Sequence, residues 1–187
     1  MTPPDWKNCT ENELWRYVAW HLEGAGIGTV LVGGAVVSIY TGGLYRSGDL
    51  DLIPEDFARS RIPQVLEALG FISAKSRHYK HPDCNHLVVE FPLGPVSLGD
   101  EYPVTPDEMV VEGRTIRILS PTDCVKDRLA AFIRWGSRDC FDQAILVCQT
   151  QKEQVNLQTV AARCQREGGA VAFEKLLARL SDFPTPP

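Results

Sequence analysis

Residues 44–54 read LYRSGDLDLIP, and this stretch poses a physical problem. Leu50, Leu52 and Ile53 mark a buried strand, and a strand sends alternate side chains to opposite faces. Asp49 and Asp51 therefore leave one face together, about 7 Å apart along the chain, while Leu50 and Leu52 face the other way. Neighbouring carboxylates repel and raise each other's pKa unless something positive sits between them. The bland solution is a solvent-facing edge strand with Arg46 as counter-charge. The sharper one is a cation bound from outside the chain.

Two flanking segments favour the second. Upstream, TVLV (29–32) reads as a buried strand that Gly33 and Gly34 turn into a short apolar helix, AVVSIYTGG. Glycines after a strand let backbone N–H groups approach a phosphate at a helix start. Downstream, Glu90 sits in VVEFP on a further strand. Three carboxylates converging from adjacent strands suit Mg²⁺, which takes oxygen ligands and keeps substrate phosphate as another. Taken alone, Glu90 also reads, less favourably, as the partner of Arg77 or Lys75 in a surface ion pair.

The remaining elements follow from periodicity and stop signals. Residues 11–23 form an amphipathic helix closed by GAGIG, and 61–69 a helix closed by Gly70. FISAKS and HLVVEF read as strands on either side of a polar turn, RHYKHPDCN. EMVVEGRTIRIL reads as a hairpin across Glu112–Gly113. Ser120, Pro121 and Asp123 make a helix-start signature, and from there helices are expected over 122–135, 139–149, 156–167 and 170–181. The tail FPTPP reads as disordered. The expected architecture is α+β: a mixed sheet flanked by helices in an α/β core over 1–119, then a helical region over 120–187 packed on it.

At 187 residues and a formal charge of −5, the chain has no bulk positive charge for nonspecific nucleic-acid binding. The charge is uneven, however, since residues 114–138 hold six Lys or Arg against two Asp. The N-terminus lacks a signal-peptide pattern, and the apolar run before Arg46 is too short and glycine-broken to span a bilayer. Six cysteines without a C-x-x-C pair read as core residues in a reducing compartment. A cytoplasmic protein is expected.

The run VGGAVVSIYTGGLYRSGDLDLIP resembles the signature of the nucleotidyltransferase superfamily, the polymerase-beta-like fold. That signature is a hydrophobic-Gly-[Gly/Ser] element, a spacer, then Asp-hydrophobic-[Asp/Glu] on a strand. The resemblance implies a Mg²⁺-dependent transfer of a nucleotidyl group from an NTP to an acceptor hydroxyl. It places Gly33 and Gly34 at the phosphates and makes Asp49 and Asp51 metal ligands, with Glu90 as the third carboxylate and a helper in deprotonating the acceptor. Fourteen residues separate Gly34 from Asp49, longer than the usual spacer. Downstream, PTDCVKDRLAAFIRWGSRDCFDQAILV resembles the helical region of bacterial toxin-type and abortive-infection-type transferases, the match falling on Lys126, Arg138, Asp139 and Asp142. That branch implies a tRNA end as acceptor, RNA lying along 114–138, and a toxin or antitoxin as protein partner.

On a helical wheel Lys126 flanks the stripe of Val125, Leu129, Phe132 and Ile133, so it could reach a cleft, whereas Asp127 and Arg134 fall on the solvent side. Lys126 and Arg46 are thus the candidates to balance triphosphate charge. Lys126 and Arg128 also read simply as surface charges pairing with Asp123 and Asp127, and Asp139 as a helix-dipole partner. His78, His81, Cys84 and His86 are zinc-type ligands, but their spacing fits no common module and Pro82–Asp83 reads as a turn. Basic turn residues near a phosphate are preferred there. The four tryptophans, at 6, 15, 20 and 135, read as core on helices.

Two further readings remain open. One is a non-catalytic nucleotide-binding or antitoxin-like module of the same fold. The other is a small-molecule nucleotidyltransferase with Asp100, Glu101, Asp107 and Glu108 as an acidic acceptor pocket.

Overall fold

A computed structural model describes residues 1–55, 58–75, 77–94, 96 and 104–182. The tail from 183 and the proposed acceptor residues Asp100 and Glu101 lie outside the described residues. Those described form a mixed sheet of seven strands with helices packed around it, followed by a helical C-terminal region. Helix α1 (Glu11–Gly24) starts with a capping box, Thr10 accepting from the Glu13 N–H while the Glu13 carboxylate takes the Thr10 N–H. Strand β1 (Thr29–Val32) passes through Gly33 into α2 (Gly34–Tyr40), and the chain returns in β2 (Asp49–Pro54). A short 3-10 turn leads to α3 (Ile62–Ala68).

Next come β3 (Ile72–Lys75), β4 (His78–Lys80) and β5 (Val88–Glu90). Strand β4 corrects the sequence reading, which made HYK part of a turn. Tyr79 is its one buried residue, and the strand exists because β3 and β5 pair with it on either side, β3 across a register shift between Ser73 and Lys75. The hairpin β6 (Asp107–Val111) and β7 (Arg114–Ile118) turns on Glu112 and Gly113, both with positive φ, as the sequence reading expects. Helices α4 (Pro121–Trp135), α5 (Arg138–Thr150), α6 (Leu157–Arg166) and α7 (Ala170–Asp182) follow, α4 capped by the Ser120 hydroxyl on the Asp123 N–H.

The strand order is β3-β4-β5-β2-β1-β7-β6. Strand β2 is therefore interior, antiparallel to β1 and parallel to β5, which removes the edge-strand account of its aspartates. One apolar cluster runs from Trp15, Leu22 and Leu31 through Leu50, Leu52 and Val89 to Leu129, Val147 and Leu176. Across it, Gln151 donates to the Tyr40 carbonyl at 2.7 Å, and the Tyr40 hydroxyl to the Leu119 carbonyl at 2.6 Å. Trp15 is fully buried, but Trp135 is 78% exposed at the end of α4 and Trp6 precedes α1, against the expectation of core helix positions. Among the described residues no helix is long and apolar enough to cross a membrane.

Candidate functional site

Alternation along β2 and β5 assembles the site. In their parallel register Leu50 faces Val89 and Asp51 faces Glu90, so both leucine and valine enter the core and both acids leave the opposite face. Asp49 joins them from two residues upstream, and one carboxylate oxygen from each of the three lies within 4.8 Å of the others.

The glycines are explained by these acids. Gly33, at φ 76°, abuts Asp51: a Cβ there would come within 2.3 Å of Asp51 Oδ2. A Cβ on Gly34 would lie 2.9 Å from Ser47 Oγ. That hydroxyl is itself 2.8 Å from Asp49 Oδ1 and holds its side chain. Glycine at 33 thus satisfies both a left-handed backbone and a close approach.

Burial pushes the Asp51 carboxyl up to about 6, with Asp49 and then Glu90 adding repulsion and Arg128 partly offsetting it. Glu90 lies against His78, whose Nε2 is 3.0 Å from Glu90 Oε2. An octahedral cation with oxygens at about 2.1 Å sets neighbouring ligands on the order of 3–4 Å apart, so three acids at this spacing fit a hard divalent ion with small side-chain adjustments. A cation would also relieve the charge that burial and repulsion penalise.

Other sequence candidates fall elsewhere. Arg46 binds Glu11, a buried carboxylate that also receives the Ser47 N–H at 2.8 Å, so Arg46 anchors the loop before β2 rather than facing Asp49 and Asp51. Lys126 is buried with Nζ 2.8 Å from Asp123 Oδ1. Arg138, Asp139 and Asp142 are exposed at the start of α5.

Arg128, which the sequence also offered as a surface charge, is a cation whose charge reaches Asp51. It pairs with Asp127 and donates to Gln143 Oε1 at 3.3 Å, and Gln143 in turn donates to Asp139. Asp127 is accordingly half-buried and felt at Asp51, not turned to solvent as the wheel suggested. Tyr45 is the second missed residue. Burial raises its phenol, with Asp139 and Asp49 adding to the rise and Arg128 opposing it, which sets Tyr45 between the β2 acids and the α4–α5 face. One signal for Arg128 was in the sequence: it stands one turn from both Cys124 and Ala131, two buried residues.

The four zinc-type residues do not converge. His78 goes to Glu90, His81 stacks on Trp6 with ring centroids 3.7 Å apart, and Cys84 and His86 meet Cys9 instead. The cations of 114–138 are largely engaged within the protein: Arg114 over the Trp20 ring, Arg117 with Glu23, Glu55 and Glu108, and Arg134 with Glu167.

No protein-family model and no curated protein sequence matches the chain. Solved structures do. An antigenic nucleotidyltransferase-like protein from Paracoccidioides brasiliensis is 18% identical with a TM-score of 0.57, over 88% of this chain and 92% of that one. The antibiotic-resistance factor ANT(2'')-Ia is 16% identical with a TM-score of 0.52, over 88% and 91%. JHP933 from Helicobacter pylori is 15% identical, also at 0.52, over 92% of each chain. The chain therefore has the fold of nucleotidyltransferases.

Proposed function

We propose that this protein binds an NTP with Mg²⁺ at Asp49, Asp51 and Glu90 and transfers the nucleotidyl group to an acceptor hydroxyl. The observation that carries the reading is the carboxylate trio, built on two adjacent interior strands with Gly33 left bare to admit Asp51. Mg²⁺ at these oxygens would neutralise their repulsion and polarise the α-phosphate. Ser47 holds Asp49 and His78 holds Glu90, so both acids need only small adjustments when substrate arrives. Gly33 and Gly34 offer backbone N–H groups to the phosphates. Arg128 and Lys126 supply positive charge from α4, and the charge of Arg128 is felt at Asp51. In the reaction the acceptor oxygen bonds the α-phosphorus as pyrophosphate leaves, and Glu90 takes the acceptor proton.

For the acceptor, the engagement of Arg114, Arg117 and Arg134 within the fold favours a small hydroxyl-bearing molecule over an RNA end, because an RNA backbone needs cations still open to it. Asp139, exposed and felt at Tyr45, suits a positively charged acceptor. A solved structure of ANT(2'')-Ia in complex with adenylyl-2''-tobramycin, 15% identical over 89% of this chain at a TM-score of 0.52, supports the same direction.

Calorimetric titration of the four NTPs, with and without Mg²⁺, into wild type and Asp51→Ala tests the site. Magnesium-dependent binding lost in the variant is expected, and equal binding by the variant would sink the assignment. Label transfer from the preferred NTP to amino sugars and to tRNA then separates the acceptors. Binding without transfer to any acceptor would favour the non-catalytic module.

A further inference from the structure

Away from the carboxylates, the segment preceding α1 closes on the loop between β4 and β5. Trp6 stacks on His81 and meets Phe71 edge-on. Three residues further on, Cys9 Sγ lies 3.9 Å from Cys84 Sγ, and Cys84 Sγ lies 3.8 Å from His86 Nδ1. These residues, 75 positions apart in the chain, bring three soft ligand atoms within 4.8 Å of one another.

The tautomer of His86 is fixed by its other nitrogen. Nε2 is 2.9 Å from the Cys9 carbonyl oxygen, and a carbonyl can only accept. Nε2 therefore carries the proton, and Nδ1 presents its lone pair toward Cys84. Orientation of a histidine by a hydrogen bond from its far nitrogen is the usual support for a metal-bound imidazole. Tetrahedral Zn²⁺, with Zn–S about 2.3 Å and Zn–N about 2.0–2.1 Å, sets S···S near ~3.8 Å and S···N near ~3.6 Å. The observed separations of 3.9 and 3.8 Å are close to these. Cys9 and Cys84 are buried, whereas His86 is exposed, and a cleft of about 490 Å³ lined by Cys9, His86, Ser47 and Gly48 lies beside them.

We propose that Cys9, Cys84 and His86 form a Zn²⁺ site that clasps the N-terminal segment to the β4–β5 loop. Binding displaces the two thiol protons to solvent, His86 enters neutral, and water completes the tetrahedron. The clasp bears on the carboxylate site through Glu11, two residues after Cys9, which holds Arg46 and the Ser47 N–H just ahead of Asp49. The inference is independent of the nucleotide reading.

Cobalt titration of the fully reduced, metal-stripped full chain tests it, because thiolate-to-cobalt charge transfer ignores the carboxylate trio. One equivalent of Co²⁺ is expected to give that band together with tetrahedral visible bands, Zn²⁺ to displace both, and Zn²⁺ to raise the melting temperature. Cys9→Ser, Cys84→Ser and His86→Asn each should lose the one-equivalent band, and Cys148→Ser should keep it. Absence of a thiolate band in wild type overturns the proposal whether or not any variant folds. So does a band that survives Cys9→Ser, or rapid pairing of Cys9 with Cys84 as a disulfide in place of metal uptake.

Discussion

Two clusters of three carboxylates border the same sheet, and they are resolved differently. At the β1–β7 side, Arg117 lies 3.5 Å from Glu23, 3.1 Å from Glu55 and 3.0 Å from Glu108, so one guanidinium answers all three acids. On β2 and β5, Asp49, Asp51 and Glu90 share one face, and Arg128, a cation whose charge reaches Asp51, already pairs with Asp127. The first cluster is balanced by the fold. In the second, the Arg128 charge felt at Asp51 is shared with Asp127, and burial raises the cost of ionising Asp51. A charge cluster that the chain could balance but does not is where an external cation is expected.

The largest effect should come from removing a member of the unbalanced cluster. Asp49→Ala or Asp51→Ala should weaken Mg-NTP binding by more than the roughly 10–100-fold that loss of an outer ligand support costs, while circular dichroism stays unchanged. Calorimetry checks it, and the comparison breaks if Arg117→Ala weakens binding as much as either.

Next comes Gly33→Ala. It forces a Cβ against Asp51 Oδ2 at 2.3 Å on a backbone at φ 76°, and should cost about 1–3 kcal/mol in chemical unfolding. Because the methyl displaces Asp51, Mg-NTP binding should fall with it. Gly113→Ala, also at positive φ but with open space around the added carbon, should cost stability without touching binding.

What the sequence disclosed and what it hid divide along the range of the interactions. Asp49 to Pro54, the Ser120 cap and the Glu112–Gly113 hairpin were legible because alternation, capping and turn chemistry act within a few residues. Glu90 was reachable by the same alternation, although its register opposite Asp51 was not. Strand β4 was hidden, since three residues with one buried side chain carry no period of their own and are defined by β3 and β5. Arg128 was hidden for a related reason: its charge matters only once α4 lies against the sheet. Cys9 meeting Cys84 and His86 was beyond any spacing rule, because the closure is made by Trp6 stacking on His81 in the loop between β4 and β5.

The cost of the unbalanced cluster should show as pH dependence in metal-free protein. Asp51 titrates near 3.8 unfolded and about 6 folded, so the folded state holds its proton more tightly. Its contribution to stability is full below about pH 4 and is lost as pH rises to about 6. Since the group is partly solvated, the loss should be on the order of 1–2 kcal/mol rather than the full linkage value. In EDTA, Asp51→Asn should flatten that fall and unfold at higher denaturant than wild type at pH 7. A wild type that gains stability over the same window would remove the argument that Asp51 lacks a cation.

The smallest effect should come from the balanced cluster. Arg117 is 22% exposed and its partners are more exposed still, a setting in which each ion pair contributes about 0–1 kcal/mol. Arg117→Ala should therefore lower stability by about 1 kcal/mol, chiefly through the repulsion left among Glu23, Glu55 and Glu108, and added salt should shrink the loss within a Debye length of about 10 Å. Mg-NTP binding should be unchanged. The same variant sharpens the comparison, because it converts a balanced cluster into one short of positive charge. Mg²⁺ in millimolar excess should then recover part of the lost stability in Arg117→Ala and none in an Arg117→Lys control. If Mg²⁺ rescues neither, three exposed acids are not enough to bind a cation, and the geometry around Asp51 has to supply the difference: its burial, its glycine neighbour and the pre-positioned Asp49 and Glu90.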